Sequence, residues 1–266
     1  MLQLRKNRIV IKIGTSTLTY PSGEKNLRAF DQLARVASDI QNMENEVILV
    51  SSGAIALGKY KLGLSTTSLG MSQKQAAAAV GQCSLMNLYK KCFNDYDHTV
   101  AQILLNAKDI EFEDKKENLM NTFTALLQLG IIPVVNENDS VSYTEIESED
   151  KLFGDNDMLS AVVAVLCNAT KLVIFSDIDG FYTSDPRLHP DARLIDRVSD
   201  IDEHCISLAG GAGSRRGTGG MKTKLQAARL AALQGIDTII TNGSNPSSLY
   251  DIISNKPVGT LIVGKK

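Results

Sequence analysis

The chain alternates short, almost wholly apolar runs with longer amphipathic runs, and no other feature limits its fold as strongly. Strands that are apolar on both faces are typical of a parallel sheet covered by helices on either side. The amphipathic runs have apolar residues at helical spacing. Strands are predicted at Ile9–Ile13, Val47–Val50, Val100–Leu105, Ile131–Val135, Leu172–Phe175, Thr238–Thr241 and Leu261–Val263. Helices are predicted at Leu27–Met43, Ser72–Phe93, Asn118–Leu129, Asn156–Cys167 and directly after Gly220, with Val141–Ile146 in a hairpin or flap.

This pattern predicts an α/β fold, a three-layer α/β/α sandwich with a mostly parallel open central sheet. We expect one domain over residues 1–266, which could comprise an N-terminal substrate lobe of about residues 1–170 and a C-terminal nucleotide lobe of about residues 171–266. Small and polar residues follow Ile13, Val50, Val135 and Phe175. Because ligands bind beyond the carboxyl ends of parallel strands, the functional site is predicted at that edge of the sheet.

Composition excludes several classes of function. The 28 basic and 30 acidic side chains give a net charge of −2, which disfavours a nucleic-acid partner. The sequence has no apolar run of about 18 residues and no signal-peptide pattern, so no membrane partner is expected. The four cysteines and three histidines have no metal-binding spacing. We therefore expect free thiols in a reducing, cytoplasmic environment and no protein-held metal.

The segment from Gly217 to Lys224 has the character of a phosphate-binding loop, Gly-Thr-Gly-Gly-Met-Lys-Thr-Lys. Its three glycines let backbone N–H groups approach an anion closely. The amphipathic run that follows would add the positive end of a helix dipole and a nearby lysine. This is not a Walker motif, because no Gly-x-x-x-x-Gly-Lys-Ser/Thr follows the first strand. A surface loop before an ordinary helix is the alternative interpretation.

Lys12 lies inside the apolar strand Ile9–Ile13, just before Gly14-Thr15-Ser16. A buried lysine requires a partner, because removing its charge from water is costly. The residues that follow it could offer N–H groups to a phosphate from the other side. An edge-strand lysine directed at solvent is the alternative, but the position before the glycine favours a functional role.

Two tetrads rich in acids and amides, Asn136–Asp139 and Gly154–Asp157, follow a strand and open a helix. Their side chains could orient lysines, hold Mg²⁺ or bind an ammonium group. Asp157 is also a good helix cap, and this alternative stays open. The segments 51–53 and 176–186 are weaker signals, because turns after strands favour hydroxyl, Asp and Gly residues in any case.

Taken in order, these motifs resemble those of the amino acid kinase family, and within it the branch that acts on glutamate. The matching strings cover nearly the whole chain: Ile11–Ser16, Ser52–Ile55, Asn136–Asp139, Phe153–Asp157, Ser176–Asp177 with Asp185–Arg187, and Gly217–Lys224. The paired Asn-Glu-Asn-Asp and Gly-Asp-Asn-Asp strings separate this branch from relatives that act on aspartate, acetylglutamate, carbamate or UMP.

The resemblance implies ATP-dependent phosphorylation of the γ-carboxylate of L-glutamate to L-glutamyl 5-phosphate, the first step of proline biosynthesis, with Mg²⁺ as cofactor. It implies that Lys12 and Lys224 flank the transferred phosphoryl group and that Asp157 holds both lysines. Ser52, Asp139 and Asn156 would bind glutamate. The residues that would bind the nucleotide are Lys12, Gly14, Ser176, Asp177, Thr218, Gly219, Gly220, Met221, Lys222, Thr223 and Lys224.

The resemblance further implies homo-oligomers, either dimers or tetramers, and feedback inhibition by L-proline. The chain is expected to lack the C-terminal PUA domain that longer members carry, because it ends soon after its last predicted strand. Two alternatives stay open: a relative with another acceptor, such as aspartate or N-acetylglutamate, and a non-catalytic sensor of the same fold. A dinucleotide-dependent oxidoreductase is disfavoured, because no Gly-x-Gly-x-x-Gly follows the first strand.

Overall fold

The computed structural model describes residues 7–64, 69–106, 108–141, 156–209 and 220–265. Its strands are β1 (Arg8–Ile13), β2 (Glu46–Ser51), β3 (Val100–Leu105), β4 (Ile132–Glu137), β5 (Lys171–Ser176), β6 (Arg197–Val198), β7 (Asp237–Asn242) and β8 (Thr260–Ile262). Its helices are α1 (Thr15–Leu18), α2 (Leu27–Asn42), α3 (Ala54–Lys61), α4 (Met71–Asn94), α5 (Lys108–Glu111), α6 (Glu113–Gln128), α7 (Asn156–Leu166), α8 (Glu203–Leu208), α9 (Met221–Leu233) and α10 (Ser248–Ile253).

The eight strands form one sheet in the order β3-β4-β2-β1-β5-β7-β8-β6. The neighbouring strands pair in parallel except β7 and β8, which are antiparallel. The predicted mostly parallel sheet is therefore confirmed. β1 lies at its centre, where Lys12 is level with Val50 of β2 and Ile174 of β5.

Side chains of β1 alternate between two cores, one on each face of the sheet. Val10 packs in the core that includes residues of α6, α7 and α9, whereas Ile9, Ile11 and Ile13 pack in the core that includes residues of α2 and α4. Because side chains on a strand alternate, Lys12 points to the same face as Val10, towards α7 and α9. The helix layers on both faces confirm the predicted three-layer sandwich.

The helices α3 and α4 approach each other at two glycines. A Cβ added to Gly81 would lie 1.7 Å from the carbonyl oxygen of Ala54, and one added to Gly58 would lie 1.8 Å from that of Ala77. No side chain fits at such distances, so these glycines allow backbone contact. The contact fixes the N-terminus of α3, and with it the turn that carries Ser52, against α4.

The observed boundaries of every predicted strand lie close to the predicted ones. The structure also contains short elements that the sequence did not predict, namely α1, α3, α5, α8, α10 and β6. β4 extends two residues beyond the predicted end, so Asn136 and Glu137 belong to the strand. α6 begins at Glu113, five residues before the predicted start, with Glu113 and Asp114 in its first turn. Residues 142–146 of the predicted hairpin lie outside the described residues. No helix in the described ranges is long and apolar enough to cross a membrane.

Candidate active site

The polar motifs meet at one edge of the sheet. β1, β2, β4 and β5 are parallel neighbours, so their carboxyl ends lie side by side. α7 begins at Asn156 and α9 begins at Met221. Both helices start at this edge, because the first residues of α7 contact Lys12 and Ser52, and Lys224 of α9 contacts Asp157 of α7. The edge therefore brings together residues from both halves of the sequence, as the strand-end argument predicts.

Asp157 lies between two lysines. Its Oδ1 is 2.6 Å from Lys12 Nζ, and its Oδ2 is 3.0 Å from Lys224 Nζ. The three side chains are buried, with 0% of Asp157, 7% of Lys12 and 8% of Lys224 exposed. The Thr223 hydroxyl also donates to Asp157 Oδ2 at 3.1 Å. The alternative of an edge-strand lysine in solvent is wrong for Lys12, because β1 is central and its ammonium group is buried.

The two lysines keep Asp157 ionised. Burial alone would raise the pKa of its carboxyl group, but the charges and hydrogen bonds of Lys12 and Lys224 outweigh burial and lower that pKa from 3.8 to about 2. These three side chains bring two ammonium groups to one carboxylate. Because little water screens charges at a buried site, ammonium groups held in this way attract an anion placed next to them.

Asn156, the residue before Asp157, holds a second polar cluster together. Its Nδ2 donates to Ser52 Oγ at 2.8 Å and to Asn136 Oδ1 at 3.0 Å. Asn136 Nδ2 in turn donates to Gln82 Oε1 of α4 at 3.0 Å. Because Asn156 and Asp157 are consecutive in α7, the amide cluster and the lysine cluster share one helix start.

The two adjacent serines at the end of β2 differ in their surroundings. The Ser51 hydroxyl is fully buried and lies 2.8 Å from the hydroxyl of Tyr89, whose pKa is raised by burial. Ser52 instead contacts Asn156, and Gly53 follows it in the left-handed conformation, with φ of 105°. A residue with a Cβ rarely adopts that conformation, so the turn favours glycine. Ser52 is therefore the serine that belongs to the site.

Asp139 follows β4 and is half-buried. Burial raises the pKa of its carboxyl group from 3.8 to about 6, and the nearby charge of Glu137 adds to this effect. A cationic ligand group would stabilise the ionised form of this carboxylate.

The predicted nucleotide residues lie around the ends of β1 and β5 and the start of α9. A Cβ added to Gly14 would be 3.7 Å from Lys12 Nζ. Ser176 is buried, and its hydroxyl donates to Asp177 Oδ1 at 3.3 Å. A cavity of about 730 Å³ opens beside Ser176 and Asp177, bounded also by α1, α2 and the residues after β7.

Gly220 precedes the first residue of α9, and Met221 and Thr223 lie in its first turn. Lys222 is exposed, whereas Lys224, two residues later, is buried. The helix thus directs the two lysines to different surroundings, and only Lys224 joins Asp157. Thr218 and Gly219 lie outside the described residues.

Sequence reasoning gave no role to Gln82 and assigned none to Asn136 individually. Gln82 follows the run Ala-Ala-Ala-Ala-Val-Gly in α4, where a single polar residue has the appearance of a solvent-facing helix position. Asn136 belonged to a recognised tetrad, but its inward direction depends on the strand's extension to Glu137.

The described residues contain no group of three or more His, Cys, Asp or Glu side chains that could hold a metal ion. The carboxylate of Asp157 is engaged by two ammonium groups. A divalent cation would therefore reach this site with the phosphates of a nucleotide, as Mg²⁺ does when it is held mainly by substrate oxygens and water.

Comparison with known proteins gives consistent results. The model of the amino acid kinase family matches residues 7–242. The glutamate 5-kinase of Clostridium perfringens (strain 13 / Type A) is 54% identical over 259 residues, which are 97% of this chain and 96% of that protein. The glutamate 5-kinase of Listeria innocua is 49% identical over 97% of this chain and 94% of its own. Among solved structures, carbamate kinase from Giardia lamblia bound to AMP-PNP has a TM-score of 0.67 at 16% identity, over 98% of this chain and 99% of that chain. This last similarity is one of fold.

Proposed function

The chain belongs to the amino acid kinase family, and we propose that it transfers the γ-phosphoryl group of ATP to the γ-carboxylate of L-glutamate, the first step of proline biosynthesis. The observation that carries the phosphoryl-transfer part is the Asp157 carboxylate buried between the ammonium groups of Lys12 and Lys224. High identity to glutamate 5-kinases over almost the whole chain supports glutamate as the acceptor.

The reaction requires no general base, because a carboxylate is already an anionic nucleophile at neutral pH. One γ-carboxylate oxygen forms a bond to the γ-phosphorus, and the bond from that phosphorus to the β–γ bridging oxygen breaks. The products are L-glutamyl 5-phosphate and ADP. The barrier arises from bringing two anions together and from the charge on the equatorial phosphoryl oxygens.

Lys12 and Lys224 are suited to lower that barrier. Their buried ammonium groups would flank the transferred phosphoryl group, and Asp157 would hold both at fixed positions before the substrates bind. Preorganised charge of this kind stabilises a transition state without reorganisation during the reaction. Gly14, Ser176, Asp177 and the segment 218–224 would bind the nucleotide, which carries Mg²⁺ on its phosphates.

Ser52, Asp139 and Asn156 would bind L-glutamate. Asp139 would pair with the α-ammonium group, and the Ser52 hydroxyl would donate to a substrate carboxylate. Asn156 lies beside Asp157 in α7, so glutamate bound at Asn156 would lie next to the lysine cluster. Holding both reactants in alignment supplies the entropic part of the catalysis.

The decisive experiment is hydroxamate formation from ATP, Mg²⁺, hydroxylamine and L-glutamate, with L-aspartate and N-acetyl-L-glutamate in parallel. Hydroxylamine traps an acyl phosphate, so product with glutamate alone supports both the chemistry and the acceptor. Product only with another acid would retain the phosphoryl transfer and overturn the roles of Ser52, Asp139 and Asn156. Binding of ATP without product from any acid would favour a sensor of the same fold.

Four further properties belong to this proposal, and the first two rest on the resemblance to the glutamate branch. The protein would form dimers or tetramers, and L-proline would inhibit it at or near the glutamate site. Residues up to about 170 would form the substrate lobe and those after it the nucleotide lobe. The four cysteines are free, which fits the expected cytoplasmic location. Light scattering and proline titration of the hydroxamate assay test the first two.

A further inference from the structure

A row of side-chain amides leads from the outer edge of the sheet into the site. Gln82 Nε2 donates to Gln102 Oε1 of β3 at 3.2 Å, and Asn136 Nδ2 donates to Gln82 Oε1 at 3.0 Å. Asn156 Nδ2 then donates to Asn136 Oδ1 at 3.0 Å and to Ser52 Oγ at 2.8 Å. The amide-to-amide hydrogen bonds of this row therefore all run in one direction, away from the site and towards the edge strand β3.

This direction determines which atoms the site presents to a ligand. Asn156 Nδ2 is directed at Asn136 Oδ1, at Ser52 Oγ and, at 3.4 Å, at the backbone carbonyl of Ser51, so the acceptor of that side chain is its Oδ1. Because Ser52 Oγ accepts from Asn156, its own O–H is available to donate elsewhere. An acceptor beside a hydroxyl donor matches an ammonium group beside a carboxylate, which is the α-carbon end of an amino acid.

If the amides of this row were turned over, the site would present a donor to the ligand in place of the acceptor Asn156 Oδ1. If the Asn136 amide turned over, its Nδ2 would face Asn156 Nδ2, and the two donors would repel each other. Asn156 would then turn over as well and direct its NH₂ group at the ligand in place of Oδ1. Gln82 opposes this reversal, because its Oε1 accepts from the nitrogen of Asn136 while its Nε2 donates to Gln102.

We propose that Gln82 is a positioning residue that sets the amide polarity of the acceptor pocket and thereby its preference for a substrate with an α-ammonium group. The proposal rests on the proposed glutamate function and extends it to a residue that touches no substrate. Asn136 is 2% exposed, so water does not readily replace its contact with Gln82. The row thus transmits orientation from α4 to Asn156.

The test compares L-glutamate with glutarate, which has the same two carboxylates but no ammonium group. Gln82→Met keeps the side-chain length and removes the acceptor, whereas Gln82→Glu keeps an acceptor oxygen towards Asn136. In Gln82→Met the ratio of kcat/KM for glutamate to that for glutarate is expected to fall about tenfold, the effect of about one buried hydrogen bond. The fall should arise from the KM for glutamate, with the KM for ATP unchanged. Gln82→Glu should retain the wild-type ratio.

Several outcomes would overturn the proposal. An unchanged ratio of kcat/KM values in Gln82→Met would contradict it. An equal fall in Gln82→Met and Gln82→Glu would also contradict it, since only Gln82→Glu keeps the acceptor oxygen that the proposal requires. Gln82→Ala provides the same test if Gln82→Met does not fold, because alanine is the strongest helix former and α4 is already rich in it. Wild-type protein that does not phosphorylate glutamate would instead overturn the proposed function itself.

Discussion

Replacing Asp157 by Asn removes a negative charge between two buried ammonium groups while keeping the side chain's shape. The pKa of Asp157, lowered from 3.8 to about 2, corresponds to about 2 kcal/mol of net interaction in favour of the ionised form. Removing one partner of a buried ion pair typically costs about 3–5 kcal/mol, because the other charge is left uncompensated. We therefore expect Asp157→Asn to lower the free energy of unfolding by about 2–5 kcal/mol at pH 7.

The measurement is urea denaturation of wild type and variant, with the hydroxamate assay on the same samples. Asp251→Asn is the matched control, because Asp251 Oδ1 is 2.9 Å from Lys256 Nζ in an exposed ion pair. Such a pair contributes under about 1 kcal/mol, so the control should resemble wild type. ATP should stabilise Asp157→Asn more than wild type, since its phosphates supply the missing negative charge, while kcat falls by about 10²-fold.

The pH dependence gives an independent check. The folded-state pKa of Asp157 is depressed, so its contribution to stability is present above about pH 4 and is lost as the pH falls towards about 2. Wild type should lose stability more steeply than Asp157→Asn in that interval. A variant as stable as the Asp251→Asn control, or one that loses stability but keeps its kcat, would refute the charge-holding role and leave Asp157 as a helix cap.

Three further outcomes are expected. Lys224→Met should lower kcat by about 10²-fold or more, because it removes a preorganised charge, and a folded variant with normal kcat would exclude that lysine from the mechanism. The KM for glutamate should rise as the pH falls through about 6, where the Asp139 carboxylate takes up a proton, and Asp139→Asn should have a high KM at every pH. Gly81→Ala should lower stability by about 3 kcal/mol or more, because its Cβ would overlap the Ala54 carbonyl. Gly70→Ala is its control, since no atom lies within 4 Å of that added Cβ; equal stability of these two variants would contradict the packing argument.

The sequence predicted those parts of the fold in which one residue pattern dominates. The runs Val47–Val50 of β2 and Leu172–Phe175 of β5 are apolar throughout, so the burial and parallel pairing of these strands could be predicted from their residue pattern. α3 was not predicted, because Gly58 interrupts its short pattern to allow contact with α4. β6 has only two residues, too few for any period to be recognised.

The sequence predicts part of the site at Lys12, because a charged side chain in an apolar strand requires a partner. That this partner is Asp157, which also binds Lys224, was implied only by the family resemblance. Gln82 could not be inferred, since its role depends on the direction of hydrogen bonds between α4 and β4. No spacing along one helix contains that information.

The first strand of the chain is the central strand of the sheet, and this order has a consequence during synthesis. β1 pairs on one side with β2, which follows soon after it, but its other partner is β5, at residues 171–176. At translation rates of about 5–20 residues per second, β5 leaves the ribosome roughly 10–30 seconds after β1. Throughout that interval one edge of an apolar strand has no partner, which is the condition under which nascent chains aggregate. Lys12 acquires its buried counter-charge, Asp157, only after about 145 further residues have been translated.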